Sequence, residues 1–196
     1  MRMRTQWFDK GKSRGAPEIA NAMGFICWQI GAERVKKMRE AGLDLISPRH
    51  GLHIVTEYLA MLAHIADRQL QPRFSVEERQ VFISTLGQKM ADTVADNRTD
   101  LEGPGEYKKP LIELLNNRFQ EYATLPFDNL QPSFAMYRCL ASFICDIVDE
   151  KRKGGVYEQV MEVEGPEAYT LLQRGINRLL DKQKADESMV KDIRGK

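Results

Sequence analysis

All three histidines of the chain lie within one short segment, SPRHGLHIVTEYLAMLAHIADRQLQP, over residues 47–72. Successive residues of an α-helix are rotated by about 100° about the helix axis. If this segment is helical, one narrow side of it carries His50, His53, Glu57 and His64. Apolar residues fill the adjoining arc, which would face a protein core: Ile54, Val55, Tyr58, Leu59, Met61, Leu62 and Ile65. Imidazole and carboxylate groups are good ligands for first-row transition metals, so this stripe is the first candidate for chemistry.

The stripe supports one hypothesis of a divalent transition-metal site. His53 and Glu57 are four residues apart, so both could bind one metal ion, with His50 as a further ligand. If the next helix packs antiparallel, Asp92 and Asp96 would lie near the level of His53 and His50. They could then complete the site, as facing carboxylates do in di-metal helical bundles. A metal-binding helical-bundle protein or enzyme is therefore the alternative to the main functional hypothesis.

The same residues also fit a purely structural interpretation. His64 lies about 16 Å along the axis from His53, at about 1.5 Å per residue, which is too far for the same metal ion. Neither Glu-x-x-His nor His-Glu-x-x-His occurs in the stripe. Asp92 and Asp96 lie about 130° from the apolar side of their own helix, which predicts that they face solvent. A polar border that contacts a neighbouring helix or a second subunit is the preferred interpretation.

The elements that would position these residues are helices. Ser47 fits an N-cap, Ser75 with Glu78 fits a capping box, and Gly42 fits a helix stop. Proline stands just ahead of each of four periodic apolar segments, where the first helical turn tolerates its missing N–H: Pro17, Pro48, Pro132 and Pro166. Apolar periodicity predicts helices over about 17–41, 48–70, 75–97, 107–123, 132–152 and 166–183.

These segments predict an all-α fold, a single-domain irregular antiparallel bundle of six or seven helices. The segment VYEQVMEVE, residues 156–164, fits either a further helix or a short strand. The fifth helix is the most apolar, so we expect it to be central, and Gly154 is expected to end it. The predicted organisation is a basic N-terminal arm (1–15), a helical domain (16–184) and a charged flexible tail (185–196).

Other polar clusters give weaker candidates. The arm carries Trp7 and Phe8 among five cations. Such a segment can bind phosphate backbones or anionic membranes, but it more often packs on its own fold. Asp146 follows an apolar run and could be a buried acid. The preferred interpretation is that the helix leaves the core there and becomes polar toward its end. The segment ERVKKMRE, residues 33–40, is expected to be a solvated face with local ion pairs.

Composition narrows the classes of function. The formal net charge of +1 gives no broad attraction to nucleic acid, and no apolar run is long enough for a membrane span. No GxSxG, GxGxxG, Walker A, HExxH or CxxC motif occurs, so no catalytic residue is predicted and a non-enzymatic role is favoured. Cys27, Cys139 and Cys145 each lie in an apolar run. We expect them to be buried thiols in a reducing compartment.

The leading functional hypothesis is a cytoplasmic helical protein that acts through protein–protein contacts, as a homodimer or with another protein. It rests on the missing motifs and on apolar helix faces that are wide enough to leave a surface for a partner. It requires no cofactor, whereas the alternative requires a divalent transition metal. A third hypothesis, from the same helical packing, is a binder of small apolar ligands between helices.

Overall fold

A computed structural model of the chain describes residues 15–43, 47–149, 151 and 153–194, with side chains up to 181. The predicted basic arm, apart from Gly15, lies outside this range. The α-helices in this part of the chain are α1 (Ala16–Glu40), α2 (Pro48–Leu70), α3 (Val76–Glu102), α4 (Lys108–Ala123), α5 (Phe134–Cys145), α6 (Lys153–Gln159) and α7 (Gly165–Arg194). The all-α fold predicted from apolar periodicity is confirmed.

The capping residues identified in the sequence define the helix ends. The N–H of His50 donates to Ser47 Oγ at 3.2 Å, which caps α2. At the start of α3, the N–H of Ser75 donates to Glu78 Oε2 at 2.8 Å and the N–H of Glu78 donates to Ser75 Oγ at 3.2 Å. Gly42 adopts a φ of +82° just after α1, a left-handed conformation that glycine adopts without a steric penalty.

The second half of the chain departs from the predicted boundaries. Helix α5 ends at Cys145, where the N–H of Ile147 bonds to the carbonyl of Ile144 and tightens the last turn. The prediction that Gly154 ends this helix is wrong, because Gly154 lies inside α6. The ambiguous segment 156–164 is helical, with a π-helical stretch at Val160–Glu164 that joins α6 to α7. Helix α7 continues to Arg194, into the predicted tail.

A two-residue hairpin interrupts the helices between α4 and α5. Strand β1 (Phe127–Asp128) pairs antiparallel with β2 (Gln131–Pro132), with Asp128 opposite Gln131. Asn129 and Leu130 form the turn with φ values of +53° and +61°. Two positive φ angles define the type I′ turn that matches the twist of paired strands. The sequence does not predict this hairpin, because Asn-Leu is not a favoured dipeptide for that turn.

Helix α2 occupies the centre of the bundle. Every residue from Ile54 to Asp67 is buried, whereas α5, which was expected to be central, keeps one exposed face that includes Arg138. The neighbouring helices α1 and α3 run antiparallel to α2, and the absence of a side chain at Gly31 lets α1 approach Val55 closely. None of the described helices is long and apolar enough to cross a membrane. Among the helices whose burial is described, the histidine stripe therefore runs along the most enclosed one.

Candidate functional sites

Glu57, a predicted metal ligand, lies in a buried ion pair between α2 and α4. Its side chain is 5% exposed, and its two carboxylate oxygens accept from Arg118, Oε2 from Nε at 2.8 Å and Oε1 from Nη2 at 3.0 Å. The guanidinium carbon of Arg118 lies 3.5 Å from the centre of the Phe143 ring. Such a two-bond contact directs the carboxylate toward arginine, so a metal ion would have to displace Arg118.

His64 lies in an aromatic cage. Its ring centre is 6.0 Å from that of Phe119, 5.9 Å from that of Tyr122 and 6.4 Å from that of Phe127. Burial in this cage, opposed by nearby Asp67, lowers the pKa of His64 to about 4. The imidazole is therefore neutral at pH 7, and its position in the cage fits the structural interpretation of the stripe.

The other predicted metal ligands lie in separate surroundings. Asp92 forms an ion pair with Lys108, and Asp96 is exposed, as the sequence predicted. The pKa of His53 is lowered by burial first, and then by the positive charges of two arginines. Within the described ranges, no group of three or more His, Cys, Asp or Glu side chains could hold a metal ion.

The structure therefore does not bring the five predicted metal ligands together. His50 and His53 share one end of α2, Glu57 contacts α4, and Asp92 contacts the start of α4. The metal hypothesis stays a prediction, which elemental analysis of the gently purified protein would test.

A second buried ionic cluster surrounds Arg34 of α1. Its side chain is 5% exposed, and Nη1 donates to Glu164 Oε2 at 3.1 Å and also contacts Glu167. Gln159 Nε2 donates to the other oxygen of Glu164 at 3.0 Å. Arg34 Nε is buried and has no hydrogen-bond partner among the described residues. The cluster thus fastens the π-helical stretch to α1.

The burial of Arg34 corrects the expectation that residues 33–40 form a solvated face. Only part of that segment is solvated: Lys37 and Glu40 pair on the surface at 2.7 Å. Arg34 lies four residues after Ile30 and four before Met38, on the apolar side of α1. That spacing could have revealed its burial, but it contains no information about Glu164, which lies 130 residues further along the chain.

The three thiols offer no activated nucleophile. Cys27 and Cys145 are buried as predicted, whereas Cys139 is only partly buried. Burial raises the pKa of all three thiols, so they stay protonated at neutral pH. Asp146, the other candidate acid, is exposed at the end of α5, which confirms the interpretation that its helix turns polar there.

One end of the bundle exposes apolar side chains. Val76 is 72% exposed, Phe134 58% and Leu130 49%, the highest values for large apolar residues in the described chain. Gln69 Nε2, near the end of α2, donates to the carbonyl oxygen of Leu130 at 2.9 Å, which fixes the hairpin at that end. Helix α3 begins there with Val76, and α5 begins there with Phe134. We refer to Val76, Leu130 and Phe134 as the apolar end.

Leu130 is also strained, and replacing it by glycine is expected to stabilise the fold. A leucine at a φ of +61° costs about 1–2 kcal/mol, which exceeds the entropic cost of a glycine in the unfolded chain. We expect Leu130→Gly to raise the free energy of unfolding by about 0.5–1 kcal/mol in dilute solution. Gln131→Gly, at the neighbouring strand position, is the control and should lower it. Urea unfolding measures both, and a loss of stability in Leu130→Gly would contradict the strain.

Comparison with known proteins gives no relative from which a role could be transferred. No protein-family model, no curated protein and no solved structure matches the chain.

Proposed function

We propose that the protein acts through protein–protein contact as a homodimer, with the apolar end as its contact surface. The observation that supports this most directly is the exposure of Val76, Leu130 and Phe134 at one end of the bundle. Single exposed apolar residues are ordinary on protein surfaces, whereas several large ones at the same end of a bundle favour an interaction site. A strained turn that presents leucine to solvent fits the same role, because strain concentrates at functional positions.

A second copy of the chain suits this surface for electrostatic reasons. The formal net charge is +1, so two copies repel each other only weakly. Exposed charges of both signs lie close in the chain to the residues of the apolar end: Arg73, Glu77 and Asp128. A two-fold axis places the same patch of both copies face to face, so a surface with both signs can pair with itself.

The mass of the protein in solution tests the homodimer. Light scattering after gel filtration, from about 1 to 100 µM, should give twice the chain mass of 22.5 kDa at the higher concentrations. Phe134→Ser removes an aromatic side chain from both halves of a two-fold contact, so we expect the dissociation constant to rise at least about tenfold.

Ile112→Ser is the matched control, because Ile112 is 40% exposed on α4 and is not part of the apolar end. This variant should dimerise like the unchanged protein. A mass of one chain at about 100 µM would refute the homodimer. Equal weakening by the two substitutions would refute the apolar end as its contact surface.

A further inference from the structure

The end of α2 opposite the apolar end carries a cluster of basic side chains. Helix α1 ends, α2 begins and α3 ends at this corner. Glu102 Oε1 lies 3.4 Å from Arg49 Nε, and Glu102 Oε2 lies 2.9 Å from Arg98 Nη2. The two predicted metal ligands of this region, His50 and His53, belong to the same corner. We refer to the set as the cationic corner: Arg39, Arg49, His50, His53 and Arg98, with Glu102.

Arg39 reaches this corner from α1. Its Nη2 atom lies 2.6 Å from the position that a Cβ on Gly51 would occupy. The guanidinium therefore rests on the first turn of α2, and it fits there only because Gly51 has no side chain. A cation at the start of a helix is electrostatically unfavourable, since that end of the macrodipole is positive. The first turn of α2 has no acidic residue to offset it.

Among the described side chains of this corner, positive charge is in excess. Arg49 and Arg98 share one carboxylate, that of Glu102, and Arg39 lies on the first turn of α2. The nearby carboxylate of Glu40 is occupied by Lys37 at 2.7 Å and Lys36 at 3.7 Å.

We infer that the cationic corner binds a phosphate group. Guanidinium groups match the geometry of phosphate oxygens and bind them through paired hydrogen bonds. Arg98 is held in place by Glu102 and by the ring of Tyr107, whose centre is 4.4 Å from its guanidinium carbon. Arg49 is 60% exposed and makes the longer contact with Glu102, so it is the arginine that can turn toward a ligand.

This inference is independent of the proposed homodimer. The corner and the apolar end lie at opposite ends of a helix of 23 residues, about 34 Å apart at about 1.5 Å per residue. Phosphate binding can therefore be measured without reference to the oligomeric state.

Calorimetric titration of the full chain with inorganic phosphate, at constant ionic strength, tests the corner. Arg49→Gln should weaken binding at least about tenfold, because it removes the arginine that is free to turn. Glu102→Gln should tighten binding several-fold, because its carboxylate competes with phosphate for the same two arginines. The opposite signs of these two effects distinguish a phosphate site from general damage to the fold.

Arg73→Gln is the matched control, because Arg73 is an exposed arginine at the other end of α2. It should bind phosphate like the unchanged protein. Pelleting with phosphatidylcholine vesicles that contain phosphatidic acid separates the two sources of a phosphate group. If the protein pellets with these vesicles in a way that depends on Arg49 but does not bind inorganic phosphate, the site is assigned to a lipid headgroup. If it binds inorganic phosphate but does not pellet, the site is assigned to a soluble ligand. Binding of neither, or equal loss in Arg73→Gln, would overturn the inference.

Discussion

Replacing Arg34 by methionine is expected to destabilise the protein by about 3–5 kcal/mol. The substitution leaves the carboxylate of Glu164, whose side chain is 4% exposed, without its cation in the interior. Removing one partner of a buried ion pair costs this much because the remaining charge has lost its hydration and its counterion. The π-helical stretch Val160–Glu164 also loses its fastening to α1. Urea unfolding followed by circular dichroism measures the change in the free energy of unfolding.

Lys37→Met on the same helix is the matched control. Lys37 pairs with Glu40 at 2.7 Å on the surface, where water screens the interaction, so its loss should cost much less stability than the loss of Arg34. A second variant, Arg34→Met with Glu164→Leu, removes both charges and should recover much of the lost stability. If Arg34→Met and Lys37→Met lower the free energy of unfolding equally, the buried pair stabilises the fold no more than a surface pair does.

The cost of unpairing Glu164 also shows what the sequence could and could not predict. Ser75 and Glu78 are three residues apart, so their capping box follows from local geometry and was predicted correctly. Arg34 and Glu164 are distant in the chain, and nothing near either residue identifies the other. The helices could therefore be predicted from short-range spacing, whereas the buried ion pairs depend on which helices become neighbours.

The same limit applies to the histidine stripe. The helical rotation of about 100° per residue correctly predicts that Glu57 and His64 lie on the same side of α2. It could not reveal that α4 brings Arg118 to Glu57, or that α4 and β1 together form an aromatic cage around His64. One side of a buried helix can thus contact a cation, aromatic rings and solvent within a few turns. A stripe of ligand-type residues becomes a site only where the facing elements leave their polar atoms free.

His64 should make the stability of the protein depend strongly on pH between about 4 and 6.5. The aromatic cage lowers its pKa from an unfolded value of 6.5 to about 4 in the folded state. In this interval the unfolded chain binds the proton and the folded chain does not, so acid favours unfolding. The stabilisation is complete above about pH 6.5 and is lost as the pH falls to about 4. Since one pKa unit corresponds to about 1.4 kcal/mol, the loss amounts to about 3 kcal/mol.

His64→Phe should remove this part of the pH dependence, because a phenyl ring fits an aromatic cage and takes up no proton. The charged side chains that act on His64, those of Asp67, Arg68 and Arg79, are present in both proteins. The difference in unfolding free energy between the variant and the unchanged protein therefore isolates His64. In urea unfolding from pH 7.5 to 4, that difference should shift by about 3 kcal/mol in favour of the variant. A difference that stays constant with pH would show that His64 is protonated while folded, and that the cage does not exclude its charged form.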